Sequence, residues 1–256
     1  MAGSQARPHR PDAVLERNLA TFNTAWSAHD YSRDVGLWPI EGTLVARHFP
    51  AAPADVLDIG CGAGRTSVGL HARGYRVVAI DLSDSLLSIA RSRYAGIDFQ
   101  KMDARELQFE GGAFDAAIFS YNGIDSLYPE STRTDCFREI LRVLKPGGVF
   151  VFSTHNLIGA LFSGGWWYPR GYWKAAQLLW SQRTNAIARE WYIHYDDGGG
   201  GSHIQFSGPP GRTVRQLHDA GFELLDTCGS AGERRPKRIL LHEQHVNFVA
   251  RRPSAP

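Results

Sequence analysis

The sequence predicts an α/β fold built on a mostly parallel sheet with helices on both faces. Three observations predict it. Short, continuously apolar runs recur between residues 54 and 153, and stretches with helical apolar spacing separate most of them. One run ends in a glycine-rich strand-to-helix turn, Val56-Leu-Asp-Ile-Gly-Cys-Gly-Ala-Gly64. The length, 256 residues, suits one α/β domain with a sizeable elaboration.

Residues 1–11 hold two prolines and the basic side chains Arg7, His9 and Arg10, and are expected to form a frayed tail. From Asp12 onward Val14, Leu15, Leu19, Phe22 and Trp26 recur at three and four residues, which is helix spacing. A second short helix is expected over Ile40–His48, after Trp38-Pro39, so residues 12–50 read as N-terminal cap helices. The core is expected over 51–155. Its strands are Ala54–Ile59, Arg76–Ile80, Ile97–Gln100, Phe114–Ser120 and Gly148–Ser153, and its helices Arg65–Arg73, Asp84–Tyr94 and Thr132–Leu144. Residues 212–256 close the sheet with a helix at Arg212–Ala220, stopped by Gly221, and strands at Phe222–Thr227 and Gln244–Ala250.

Residues 156–211 break this alternation. They carry eleven aromatics, including five of the seven tryptophans, which is too much apolar surface to leave in water. Arg189–Tyr195 and Ser202–Phe206 flank Asp196-Asp197 and four glycines, the pattern of a hairpin with a loose tip. The stretch reads as an insertion leaving strand 5, placed to fold as an aromatic lid over the carboxyl ends of the strands. Its rings either form a small core of their own or wall a pocket for a flat acceptor.

Composition excludes several classes. Apolar residues make up 43% and charged residues 21%, which excludes disordered and fibrous architectures. A net charge of +2 gives no electrostatic reason to expect a nucleic-acid partner. Cys61, Cys136 and Cys228 lie far apart, without a CxxC pair, which argues against a disulfide framework. No run approaches a membrane span, and the opening MAGSQARPHRPD lacks the apolar stretch of a secretory signal, so a cytoplasmic protein is expected.

The glycine turn carries the chemistry. Gly60, Gly62 and Gly64 let the backbone turn sharply and approach a ligand at a helix N-terminus. The dinucleotide fingerprint GxGxxG would need glycine at 65, where this chain has Arg65. Asp58 beside the turn would repel a pyrophosphate but suits a ligand with an ammonium group. Asp81 ends the second strand, where a carboxylate can accept two bonds from ribose hydroxyls. Asp103 follows the third strand, within reach of an adenine amino group. Cys61 reads as a small turn residue, and Leu144-Lys-Pro-Gly-Gly148 as a helix stop and strand start.

Together DIGCGAG, AIDLS, KMDA, FDAAIFS and LKPGG, over residues 54–154, resemble the class I S-adenosylmethionine-dependent methyltransferases in order and spacing. That resemblance implies a seven-stranded sheet of order 3-2-1-4-5-7-6 with strand 7 antiparallel. It implies that Gly60, Cys61, Gly62 and Arg65 surround the methionine part of S-adenosylmethionine and that Asp58 holds its ammonium. Asp81 would bind the ribose, Leu82 would line the adenine, and Asp103 with Ala104 would meet the adenine edge. Ser120 and Tyr121 would face the reacting side, and S-adenosylhomocysteine would be the product.

Methyl transfer from a sulfonium is an in-line displacement in which alignment can supply much of the barrier reduction, so no triad or metal is required. His155, straight after strand 5, and Tyr121 are the candidate catalytic side chains. Tyr31 and Trp38 in the cap, and Trp167, Tyr192 and His194 in the lid, are candidate acceptor contacts. No HxxH or paired-carboxylate spacing marks a metal site. Glu233-Arg-Arg-Pro-Lys-Arg238 is either a solvated turn or a lure for an acidic acceptor. An aromatic rather than basic lid favours a small-molecule acceptor methylated on oxygen or nitrogen, and Arg- and Ala-rich composition hints at bacterial specialised metabolism. The alternatives are an RNA or protein methyltransferase, disfavoured by Ser120-Tyr-Asn-Gly123 where several amino-methylating relatives carry NPPY, and a non-catalytic cofactor-binding partner.

Overall fold

The computed structural model describes residues 10–162, 190–196, 201–232, 234, 239 and 241–254, together with 173, 176 and 180. Helices α1 (Pro11–Phe22), α2 (Ala25–Asp30) and α3 (Pro39–His48) precede the sheet. Then β1 (Asp55–Ile59), α4 (Arg65–His71), β2 (Arg76–Asp81), α5 (Asp84–Arg93), β3 (Asp98–Lys101) and β4 (Phe114–Phe119) alternate. A 3-10 turn at Gly123–Ser126 leads into α6 (Glu130–Val143) and β5 (Leu144–His155). Helix α7 (Leu157–Phe162) and the hairpin β6 (Tyr192–Asp196) and β7 (Ser202–Phe206) follow, then α8 (Pro210–Ala220), β8 (Glu223–Gly229) and β9 (His245–Arg251). No described helix is long and apolar enough to cross a membrane.

Seven strands form one sheet in the order β3-β2-β1-β4-β5-β9-β8. Counting sheet strands along the chain, this is 3-2-1-4-5-7-6, as the family resemblance implies. Strands β1 to β5 pair in parallel, and β9 runs antiparallel to both neighbours. Both faces are buried, as continuous apolar strands require. Leu57, Ile59, Phe119, Phe150, Phe152 and Phe248 pack under α6 and α8. Val56, Val77, Ala79, Ile118, Val151 and Val249 pack under α3, α4 and α5.

The elements differ from the sequence expectation mainly at their ends. The cap begins with Pro11 at the first helical position, where a missing N–H costs nothing, so the helix takes a residue assigned to the tail. An additional short helix, α2, is capped by Thr24, whose hydroxyl accepts the Ser27 N–H at 3.1 Å. LKPGG does not precede β5 but opens it, because Leu144 already pairs with Phe114. The hairpin starts at Tyr192 and extends to Asp196, which pairs with Ser202. Its inner side chains, Tyr192, Ile204 and Phe206, build a third small core with Val14 of α1 and Tyr128. The expected tail (residues 1–9), Trp166, Trp167 and most of the basic run near 235 lie outside the described residues. Arg234 of that run ion-pairs with Asp226.

Candidate active site

A cavity of about 390 Å³ opens at the carboxyl ends of β1, β2 and β4, where ligands of open α/β sheets bind. Its floor is the glycine turn. Gly60 has φ +63°, and a Cβ there would come 2.5 Å from the Phe119 ring, so only glycine lets the turn pack against that ring. The turn is tied to the next strand: the Cys61 N–H donates to the Ile80 carbonyl at 3.0 Å.

Asp81 closes one side. Its carboxylate accepts the Gly62 N–H at 2.8 Å on one oxygen and the Ser83 N–H at 2.8 Å on the other. Burial raises its pKa above the ordinary carboxylate value, and the backbone donors from Ser83, Gly62 and Leu82 oppose that rise. Asp103 lies farther along the same wall and is gripped by Arg105, whose NH2 group donates at 2.6 Å. Leu82, Met102 and Ala104 line the space between them.

At the opposite end stands a buried ionic knot. Arg65 donates to both oxygens of Glu41 at 2.7 and 2.8 Å, to the Gly36 carbonyl at 2.9 Å and to the Ser120 hydroxyl at 2.6 Å. Glu41 also accepts the Trp38 N–H at 2.8 Å, capping α3, and the Ser120 hydroxyl. The Arg65 guanidinium lies 4.2 Å over the Trp38 ring. Four of the five Arg65 N–H groups are thus engaged within the protein.

Tyr121 and Asn122 follow β4 with φ +54° and +56°, a left-handed pair costing of order 1–3 kcal/mol each. The strain is held by the Asn122 N–H on the Ser153 hydroxyl (2.9 Å) and the Gly123 N–H on the Ser120 carbonyl (3.1 Å). A Cβ at Gly123 would run into Phe119, so this tight turn too requires glycine. It directs Tyr121 into the cavity.

Most of the residues singled out in the sequence therefore meet in one place. Gly60, Cys61, Gly62, Arg65, Asp81, Leu82, Asp103, Ala104, Ser120, Tyr121, Tyr31 and Trp38 all line this cavity. Four do not. Asp58 sits on the Val56 face of β1, fully buried, and accepts the Ser67 hydroxyl of α4 at 2.6 Å; its other oxygen has no partner among the described residues. Burial pushes its pKa up to about 7. His155 is drawn to Asp125, which accepts its backbone N–H at 2.7 Å and its ring Nδ1 at 2.8 Å and is paired in turn with the buried Arg133. Tyr192 belongs to the small core, its hydroxyl donating to the Leu127 carbonyl. His194 lies exposed on β6, opposite Ile204. Trp167 is outside the described residues.

Sequence reading missed Glu41 and the roof. Leu15, Asn18, Leu19 and Phe22 of α1 line the cavity, as does Gln205 of β7. The signal for the roof was present: Asn18 sits on the stripe Val14, Leu15, Leu19 and Phe22, a polar residue where the helix should be apolar.

Residues 56–148 match the family model of a methyltransferase domain. A ubiquinone biosynthesis O-methyltransferase of Xanthomonas axonopodis is 32% identical over 243 residues, 92% of this chain and 91% of that protein. A demethylmenaquinone methyltransferase of Clavibacter sepedonicus is 37% identical over 147 residues, 53% of this chain and 58% of that one. Some relatives are thus spanned over about half of their length. Among solved structures, a methyltransferase of Methanosarcina mazei shares the fold with TM-score 0.64 and 21% identity, over 86% of this chain and 100% of that one.

Proposed function

Because the chain belongs to the class I S-adenosylmethionine-dependent methyltransferases, we propose that it transfers a methyl group to an oxygen or nitrogen of a small-molecule acceptor. One observation carries this reading: a single cavity joins Asp81 and Asp103 at one end to Ser120 and Tyr121 at the other, then continues under α1. The residues present fit the family's cofactor. The glycine turn packs against Phe119 so closely that no side chain fits at position 60, and Asp81 offers a carboxylate already oriented by two backbone donors. When bound, S-adenosylmethionine supplies a methyl group on a cationic sulfur.

The chain's own residues have distinct tasks in this reading. Asp81 accepts hydrogen bonds from the ribose hydroxyls, and Asp103 and Ala104 meet the adenine edge. Ser120 is fixed by Glu41 and Arg65, so the β4 end presents a preset surface to the methionine part. Tyr121, 46% exposed, flanks the space where the acceptor lies, at its solvent edge. His155 acts from behind, holding Asp125 and with it the Gly123–Ser126 turn that forms the wall. Alignment within this wall is the main contribution to rate.

The relatives named above act, by their names, in ubiquinone biosynthesis and on demethylmenaquinone. That supports a small molecule as acceptor. Calorimetry with S-adenosylhomocysteine tests the cofactor half of the proposal, with saturable one-to-one binding expected. A screen of small-molecule acceptors by mass spectrometry, reading a gain of one methyl group, tests the other half. Absence of S-adenosylhomocysteine binding would overturn the reading.

A further inference from the structure

The end of the cavity beside Tyr121 combines aromatic rings with carboxylates. The Tyr121 ring lies edge-on to Trp38 at 5.0 Å and 67°, and edge-on to Tyr31 at 5.6 Å and 89°. The faces of such rings attract cations, and Arg65 over Trp38 is one instance in place. Asp30 and Asp34 border the same space. Their charges, after burial, add to the rise in the Tyr121 pKa, so both reach its hydroxyl electrostatically.

The cations nearby do not cancel this charge. Arg65 is matched by Glu41 at 2.7 Å. Arg33 pairs with Asp30 at 3.3 Å, but its side chain is 66% exposed, which leaves that pair strongly screened. Asp34 accepts the Trp38 indole N–H at 3.3 Å and carries its charge at the cavity mouth. With Asp30 paired to Arg33 and Glu41 to Arg65, the charge in excess at this end is that of the exposed Asp34.

The sign of that charge bears on the acceptor. An oxygen acceptor reacts best as an anion, which Asp34 and the Tyr31 and Tyr121 rings would repel. A basic amine behaves oppositely. Held as an ammonium ion, it gives one proton to solvent at the mouth, and the freed nitrogen lone pair then forms the new N–C bond as the S–C bond breaks with its electron pair left on sulfur. The nitrogen thereby takes up the positive charge the sulfur loses and leaves as a methylated ammonium ion. Negative charge and ring faces around the nitrogen stabilise the charge as it develops.

We infer that Tyr31, Trp38 and Tyr121 with Asp30 and Asp34 form a cation-selective acceptor subsite, and that the acceptor is a basic amine methylated on nitrogen. The inference rests on the methyltransferase reading above.

The test uses the whole protein saturated with S-adenosylhomocysteine and titrated at neutral pH with benzylamine, benzyl alcohol or benzoate, three probes of similar shape and different charge. Benzylamine is expected to bind about ten-fold more tightly than benzoate, with the alcohol between them. In an Asp30→Asn/Asp34→Asn variant the preference should fall to within about two-fold, with S-adenosylhomocysteine affinity unchanged. Equal binding of the three, no binding, a preference for benzoate, or a preference that survives the double substitution would each overturn the inference alone. The ranking in the unmodified protein stands even if the variant folds poorly. Failure of S-adenosylhomocysteine itself to bind would instead remove the underlying reading, and the inference with it.

Discussion

The side-chain amide of Asn18 pairs with both backbone groups of Ile204, donating to its carbonyl at 2.9 Å and accepting its N–H at 2.8 Å. The same amide donates to the Ser126 carbonyl at 3.1 Å. One buried side chain of α1 thus satisfies a hairpin edge and the wall of the cavity together. Such backbone groups cannot stay unpaired away from water without cost.

Asn18→Ala strips the edge of Ile204 of its partner and leaves two buried backbone groups unsatisfied. The expected loss is about 2–6 kcal/mol of stability in urea unfolding, at about 1–3 kcal/mol for each group. Amide exchange should quicken across Ser202–Phe206, while β1 and β4 keep their protection. Unchanged exchange in β7 would show the bonds to be incidental.

Asp81→Ala removes the carboxylate proposed to bind the ribose. Two charge-assisted bonds are worth roughly 1.5–3 kcal/mol each, so S-adenosylhomocysteine affinity should fall at least about 100-fold. Calorimetry checks this; circular dichroism controls for the loss of the bonds to Gly62 and Ser83.

Asp58 gives stability a pH dependence. Its pKa is raised from 3.8 to about 7 by burial, so the folded state holds a proton that the unfolded state gives up at lower pH. Stability from this group is therefore fully present below about pH 4, is lost as pH rises through about 7, and stays flat above. Asp58→Asn keeps an acceptor for the Ser67 hydroxyl without the charge. It should be more stable than the unmodified protein at about pH 8, by at most about 4 kcal/mol, and the gap should shrink by about pH 5. Parallel unfolding curves at both pH values would exclude the effect.

His155→Asn separates two roles. A base in contact with the acceptor would show as a turnover loss of about ten-fold or more. The observed bonds to Asp125 give a different expectation: a stability loss of about 1 kcal/mol, with S-adenosylhomocysteine affinity and single-turnover rate within about three-fold of the unmodified protein. A large rate loss at unchanged stability would return the base role to His155.

The residues whose place in the cavity was legible in the sequence are those whose position is set locally. The Gly60 turn and Asp81 each sit at a strand end, and the parallel sheet brings strand ends together without further information. Arg65 was legible as a cavity residue but not as an ion-pair partner, because Glu41 comes from a cap helix 24 residues earlier. His155 follows its strand as expected, yet Asp125, thirty residues away on an irregular turn, redirects its ring. Tyr192 looked like a lid contact among many aromatics. Strand alternation, with Val14 and Phe206 opposite, turned it into the small core instead. In each miss the deciding partner was polar or remote, and hydrophobic periodicity carries no information about such partners.

The route by which the cavity is assembled has a kinetic consequence. Its floor and walls come from the central strands, but its roof is the first helix, held by a strand that arrives 186 residues later. Contacts of such separation carry a large loop-closure cost and tend to form late. The binding-competent shape is then largely missing at the folding barrier. Ligand binding should accordingly slow unfolding while leaving the rate of refolding almost untouched. The last part of the molecule to close would also be the first to open.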